Sequence, residues 1–259
     1  MSNYAHSGSP ELRRDLAKDA AGRARATAEL LRDFDWTTPF IADACALLQL
    51  PLRLGPPHIK PIRSSTKVAG PARPAKHAGS TDVFLEAIAL SNPGDVLVID
   101  NVGRLDEGCI GDLIAGEAHV AGLAGILVWG AHRDTSAIEA IGIPVWSLGT
   151  CPAGPQELRT RSVHALEAAS LGGHVTVTSD DHVFADIDGV VVVAGTQLHR
   201  VVAAARDIAK REQSQAARLL SGERLKDQLQ LETYIARRQS EPGYTFRNHV
   251  RSLGGAIEI

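Results

Sequence analysis

Val96-Leu97-Val98-Ile99 and Ile126-Leu127-Val128-Trp129 are two short runs, apolar at every position. A strand wetted on one face alternates apolar with polar residues. A run that is apolar throughout is buried on both faces, as in a parallel sheet covered by other layers. Pro93-Gly94-Asp95 is a turn that leads into the first run. Between the runs, about Gly111 to Ala121 reads as a helix that Gly122 is placed to end. The second run is followed by an Arg133-Asp134 loop, a short helix through Ile141 and a third strand from Pro144 to Leu148. This βαβαβ alternation predicts an α/β fold with parallel strands and right-handed crossovers.

Towards the N-terminus, Ser9-Pro10-Glu11 carries the signals of a helix start, and a helix is expected to about Phe34. Thr38-Pro39 repeats the signal for a second helix through about Leu48. Pro51 to Pro74 is rich in proline, glycine and basic residues; short irregular strands are expected around Ile59 to Ile62 and Ser65 to Ala69. Thr81 to Leu90 reads as a helix. Towards the C-terminus, strands are expected at His174 to Val177, Asp180 to Ala185 and Val190 to Val193, with a turn at Asp186-Ile187-Asp188-Gly189. Thr196 is placed to cap a helix from about Gln197 to Leu220. Glu223 to Gln239 reads as one further, highly charged helix, a solvated arm or a contact with another subunit.

Composition removes several classes of function. The 259 residues suffice for a substantial core, and a net charge of −3 gives no electrostatic case for a nucleic-acid surface. No apolar run reaches the length of a bilayer span, and Met1 to Pro10 has no apolar signal core. Cys45, Cys109 and Cys151 are scattered, without a CxxC pair, which fits reduced thiols in a cytoplasmic protein. Cys109 is read as small-residue packing rather than as a nucleophile, and Trp129 as core.

Chemistry concentrates in Gly108-x3-Asp112-x20-Arg133-Asp134. The amides of Gly111, Asp112, Leu113 and Ile114 open a helix and lack intrahelical acceptors, so they suit an anion such as a carboxylate. Gly108 and Gly111 permit close backbone approach. Alone, Asp112 reads as an acidic first-turn residue worth about 0.3–1 kcal/mol of dipole stabilisation. The strand ending at Trp129 delivers Arg133 and Asp134 beyond its carboxyl edge, where ligands of parallel sheets bind. Arg133 then suits a carboxylate or keto oxygen, and Asp134 a magnesium or manganese ion. His132 stands beside them and either assists or points away. His119 falls within a helix as a surface or packing residue.

On these residues the sequence resembles the RraA-like family, and in particular its class II pyruvate aldolases acting on 4-hydroxy-4-methyl-2-oxoglutarate, 4-carboxy-4-hydroxy-2-oxoadipate and related acids. Gly108, Asp112, Arg133 and Asp134 match the family's pattern without a gap. The run from Pro93 to Asp100 is similar to its preceding strand, and that from Phe184 to Val193 to a later segment; the likeness spans roughly residues 38–215.

The resemblance implies a swivelling β/β/α domain over 38–220, with helical additions at 1–37 and 221–259, assembled as a homotrimer or a hexamer with sites between subunits. It further implies a site in which Asp134 binds Mg2+ or Mn2+ directly and Asp112 through water. Arg133 contacts the pyruvyl oxygens, and the amides of residues 111–114 receive the substrate carboxylate. The implied activity is a lyase that releases pyruvate from a 4-hydroxy-2-oxo acid through an enolate, and decarboxylation of oxaloacetate passes through the same enolate. Glu212 and Glu223 are candidates for an acid donated to a neighbouring subunit, or are solvated helix positions. Two other readings stay open: a β-keto-acid decarboxylase as the main activity, and a non-catalytic regulator that binds a protein partner. Menaquinone methyltransferase, a label carried by some family members, lacks a glycine-rich nucleotide motif here. Residues after Pro242-Gly243 are either a lid or a subunit-docking tail.

Overall fold

The computed structural model describes residues 22–253; the expected helix start at Ser9-Pro10 lies outside them. The described residues divide into two compact units, one of 22–33 with 53–198, the other of 34–52 with 199–253.

The first unit opens with helical residues 22–30 (α1). It then contains strands β1 (Arg53–Leu54), β2 (Lys60–Pro61) and β3 (Val68–Lys76), helix α3 (Asp82–Ala89), β4 (Val96–Asp100), β5 (Gly108–Ile110) and α4 (Asp112–Val120). There follow β6 (Gly125–Trp129), β7 (Ala131–His132), α5 (Thr135–Ile141), β8 (Val145–Ser147), β9 (Ala168–Leu171), β10 (Val175–Thr178), β11 (Asp181–Ala185) and β12 (Val190–Ala194). Helix α2 (Thr38–Leu47) belongs to the second unit.

Eight strands form one sheet in the order β1-β12-β11-β3-β4-β6-β8-β2. Its centre is parallel: β3 with β4, β4 with β6, and β6 with β8. The two apolar runs are its middle strands, and their side chains divide by parity. Leu97, Ile99, Ile126 and Val128 meet Phe84 of α3, Ala115 of α4 and Ile138 of α5. Val96, Val98 and Leu127 meet Val175, Val177 and Leu171 of the β9–β10 hairpin and Val183 and Val192 beyond it. Helices cover one face and a hairpin the other, which is why both runs are apolar on both faces, with the first polar residue of β4 at its end, Asp100.

Three local expectations need correction. The first strand of the parallel set is the nine-residue β3, not a short strand ending near Ala69. Pro71 and Pro74 hid it, since proline inside a strand argues against central pairing. The register explains the tolerance: Val68–Pro71 pairs with β11, and Ala72–Lys76 pairs with β4. Each proline therefore sits where only one flank of the strand is laddered. Second, Thr196 lies inside a 3-10 turn, Gly195–Gln197, and does not cap the following helix.

The third correction falls in the second unit. Its long helix α6 (Leu198–Leu220) buries Val201, Val202, Ala205, Ile208 and Ala209, a stripe at helical spacing. The expected helix from Glu223 to Gln239 is two helices, α7 (Leu225–Gln228) and α8 (Leu231–Ser240). They are split at Gln230, whose φ of 48° is left-handed. The break presents the Leu229 carbonyl to the buried ring of His249, 2.9 Å away. His249 belongs to α9 (Phe246–Ser252), capped by the Thr245 hydroxyl. Tyr234, Tyr244, Phe246 and His249 form one aromatic cluster, and the Arg237 guanidinium stacks 3.9 Å over Tyr244. The described residues after Pro242, Gly243 to Leu253, thus fold back onto α8 within their own unit.

Candidate active site

The site is assembled by the smallest sheet. Strands β5 and β7 leave the main sheet after β4 and β6 and pair with each other in parallel, Gly108 with Ala131 and Ile110 with His132. The residues just past that pairing are therefore Gly111-Asp112 on one side and Arg133-Asp134 on the other. The Arg133 amide donates to the Ile110 carbonyl at 2.9 Å and locks the register. Both halves of the spaced motif reach the carboxyl edge together.

Glycines provide the room. A Cβ on Gly108 would stand 2.6 Å from the Cys151 carbonyl oxygen and 2.9 Å from Arg133 Cβ. One on Gly111 would stand 2.3 Å from Asp134 Oδ2 and 3.2 Å from Arg133 Nε. Gly154, not singled out from the sequence, closes the other side: its Cβ would fall 2.8 Å from an Arg133 terminal nitrogen. Only the Gly154-Pro155 turn pair hinted at it. The Arg133 guanidinium thus lies between two glycine backbones, with Asp134 Oδ2 3.3 Å from its Nε. Arg133 and Asp134 both remain about half exposed, so a ligand can reach them.

Asp134 has φ 58° and ψ 38°, left-handed, at the N-cap of α5, and its side chain does not cap that helix. Its carboxylate is therefore available to something other than backbone amides. Asp112 begins α4, and its Oδ1 accepts from the Leu113 amide at 2.8 Å. One of the four amides expected to hold a carboxylate is thus occupied by Asp112 itself. Leu113 is exposed, whereas Ile114 faces the core.

His132 turns away from Arg133. Its ring is buried, with Nδ1 2.8 Å from the Ser147 hydroxyl and Nε2 2.9 Å from the Thr135 hydroxyl. Burial holds its pKa below the usual histidine value, against the Gly149 backbone and Asp134, which raise it. His119 is exposed on α4. Cys109 is buried, and desolvation pushes its thiol up to about 12, so it packs and does not react. Trp129 is half-buried, its indole against Gly103. Glu212 and Glu223 belong to the second unit. Burial and then Asp43 raise the Glu212 carboxyl above its ordinary value, while Glu223 lies 3.5 Å from Arg218.

A buried polar cluster the sequence did not announce stands next to Gly108. Glu107 contacts Arg159 at 3.1 Å, Arg104 at 3.3 Å and His77 Nδ1 at 3.6 Å; His77 also bonds Asn101 at 2.9 Å. It ties the loop before β5 to the segment that carries Gly154.

As a donor set, the edge offers carboxylate oxygens only. Among the described residues no group of three or more His, Cys, Asp or Glu side chains forms a cage. Two carboxylates beside a glycine cradle that a Cβ would fill suit a hard ion that keeps several waters.

A mixed α/β sheet whose crossover loops pair to form such an edge defines the class. The chain belongs to the RraA-like family, described as Aldolase/RraA, which matches residues 38–192. A Halalkalibacterium halodurans protein, provisionally named a 4-hydroxy-4-methyl-2-oxoglutarate aldolase, is 34% identical over 149 residues, 57% of this chain and 70% of that protein. Among solved structures, Streptomyces coelicolor RraAS2 is described as an unusual member of the RNase ES inhibitor RraA protein family. It is 29% identical, with a TM-score of 0.62 over 71% of this chain and 94% of its own. An uncharacterized protein from Pseudomonas syringae pv. tomato shares the fold, with a TM-score of 0.67 over 78% of this chain and 96% of its own at 23% identity. The family match and the Halalkalibacterium relative support an aldolase or lyase, and no helix among the described residues is long and apolar enough to cross a membrane.

Proposed function

We propose that the chain is a divalent-metal-dependent carbon–carbon lyase that cleaves a 4-hydroxy-2-oxo acid and releases pyruvate. The observation that carries this reading is the pairing of β5 with β7, which sets Asp134 Oδ2 and Arg133 Nε against Gly111. Asp134 would hold Mg2+ or Mn2+, with Asp112 beside it through water. The ion, when bound, supplies Lewis acidity to the substrate's oxygens.

The chain's own residues do the rest. The guanidinium of Arg133, pinned between Gly111 and Gly154, meets the keto and carboxylate oxygens with two parallel N–H groups. It is already oriented when negative charge grows on the keto oxygen as the C–C bond breaks, so little reorganisation accompanies the reaction. The free amides at the start of α4 receive the substrate carboxylate. Asp112 either shares the Leu113 amide with it or swings towards the ion. His132 takes no part in proton transfer, because both ring nitrogens are engaged by hydroxyls. Loss of carbon dioxide from oxaloacetate would use the same contacts. A trimer or hexamer, with a neighbouring subunit completing the site, is part of the proposal.

The test is pyruvate release from 4-hydroxy-4-methyl-2-oxoglutarate and from oxaloacetate, with EDTA and then with added Mg2+ or Mn2+. Turnover that EDTA abolishes and metal restores, and that is lost in Arg133→Ala and Asp134→Ala, is expected. Metal-independent turnover, or full activity in either variant, overturns the mechanism. A second reading, a protein-binding regulator, is supported by the description of the Streptomyces relative. No turnover of any keto acid, together with tight binding to a ribonuclease, would favour it.

A further inference from the structure

We propose that His132 is a positioning residue: bridging Ser147 and Thr135, its imidazole closes a clasp around Arg133-Asp134 and holds Asp134 in the conformation that presents its carboxylate to Gly111. The effect on catalysis rests on the lyase reading; the effect on the backbone does not.

The backbone of Asp134 is left-handed. Its φ of 58° is a conformation that side-chain-bearing residues leave unless their surroundings hold them. Backbone bonds fix the chain on either side. The Arg133 amide is held by Ile110, and the Asp134 carbonyl accepts from Ala137 at 3.0 Å and Ile138 at 3.0 Å. None of these bonds reaches the Asp134 side chain, and the Arg133–Asp134 peptide is left to turn between two anchors. The bond from His132 Nε2 to the Thr135 hydroxyl spans that interval, from the residue before the dipeptide to the residue after it.

The other end of the clasp is equally anchored. His132 Nδ1 meets the Ser147 hydroxyl, which also donates to the Gly149 carbonyl and accepts from the Gly149 amide, both at 3.2 Å. That carbonyl accepts from the His132 amide at 3.0 Å. One neutral tautomer satisfies every partner: the proton on Nδ1 goes to Ser147, Ser147 donates onward to Gly149, and Thr135 donates to Nε2. The ring is 3% exposed, so it cannot turn to a ligand without abandoning both hydroxyls. It therefore links the ends of β7 and β8 to the start of α5. Arg133 and Asp134 lie between the first of these, β7, and α5.

Such an arrangement acts on the carboxylate through the backbone. Partners that orient a metal-binding side chain typically change metal affinity by about 10–100-fold when removed. The clean probe is the threonine. Thr135→Val keeps the shape and removes the hydroxyl, and Thr135→Ser keeps the hydroxyl. His132→Phe removes the whole clasp.

The experiment uses the full chain. It measures Mn2+ binding by electron paramagnetic resonance, amide hydrogen exchange over residues 133–138, and melting temperature. Thr135→Val and His132→Phe are expected to weaken Mn2+ binding about tenfold and to speed exchange at Arg133 and Ile138, with Thr135→Ser close to wild type. Wild-type Mn2+ affinity in Thr135→Val overturns the proposal, whatever its melting temperature, because the hydroxyl then serves the fold alone. A wild-type protein that binds no Mn2+ overturns the metal-dependent lyase, and the exchange data then decide the clasp separately. Faster exchange in Thr135→Val, reversed in Thr135→Ser, upholds it; unchanged exchange overturns it.

Discussion

Gly111 and Asp134 sit so close that a Cβ on residue 111 would stand 2.3 Å from Asp134 Oδ2. The φ of Gly111 is −140°, a value open to any residue, so glycine is required there for space and not for backbone freedom.

Gly111→Ala therefore separates function from stability. The blocking atom is the end of a side chain, which rotates away at little cost and carries the carboxylate out of place. Activity is expected to fall about 100-fold, as for a misplacement of an ångström at a reacting centre, with the melting temperature nearly unchanged. Gly108→Ala is the contrast, because its Cβ meets the Cys151 carbonyl, a backbone atom, at 2.6 Å. That variant is expected to lose stability as well as activity. Equal melting losses in the two variants would contradict the distinction.

Gly116 tests the opposite case. It lies inside α4, and a Cβ there meets only Ile141 Cδ1 at 3.9 Å, an ordinary contact. Gly116→Ala should stabilise the protein by about 0.5–1 kcal/mol, since glycine loses more freedom than alanine in a helix. The check is chemical denaturation at pH 7. A lowered midpoint would show that α4 needs flexibility at that point.

The core of the fold was legible because burial leaves a compositional mark. β4 and β6 are covered on both faces, and their runs from Val96 to Ile99 and from Ile126 to Val128 are apolar without alternation. The motif was legible for a related reason: glycines at 108 and 111 and charges at 112, 133 and 134 stand out against such runs. β3 was hidden by Pro71 and Pro74, whose tolerance depends on which flank is laddered, a property of register that no single segment carries. The role of Gly154 and the gathering of Glu107, Arg104, Arg159 and His77 were hidden likewise. Gly154 is far from Arg133, and His77 and Arg159 are far from Arg104 and Glu107, so they meet only once the loops are folded.

Glu107 is the centre of that cluster and is 1% exposed. Removing it leaves Arg104 and Arg159 facing each other's charge, with Asp106 and Asn101 as partial substitutes. Breaking one side of a buried ionic group is costly, and Glu107→Ala is expected to destabilise by roughly 2–4 kcal/mol. Denaturant unfolding measures it; a loss below about 1 kcal/mol would place the cluster with ordinary surface pairs.

His182 contributes to the response to acid, as the buried His77 and His132, also held below the ordinary histidine value, do. His182 lies in β11, 2% exposed, and among the described residues neither ring nitrogen has a hydrogen-bond partner. Burial above all, and Arg23 after it, hold its pKa at about 4, against an ordinary value of 6.5; Asp181 opposes them. The folded protein therefore keeps the ring neutral, while the unfolded chain takes up a proton as pH falls through 6.5. This contribution is fully present above that value, shrinks as pH falls, and stops changing below about 4. Over that interval the loss amounts to roughly 3 kcal/mol. His182→Leu removes the titrating ring and leaves no buried polar atom unpaired, so its unfolding free energy should lose that part of the slope between pH 6.5 and 4. Urea titrations at half-unit pH steps compare the two proteins directly. A variant whose slope matches wild type would move the acid sensitivity to another group, with the coupled Asp43 and Glu212 carboxyls excluded by sign. Their raised values favour the folded state as pH falls, since the native protein then binds the extra proton.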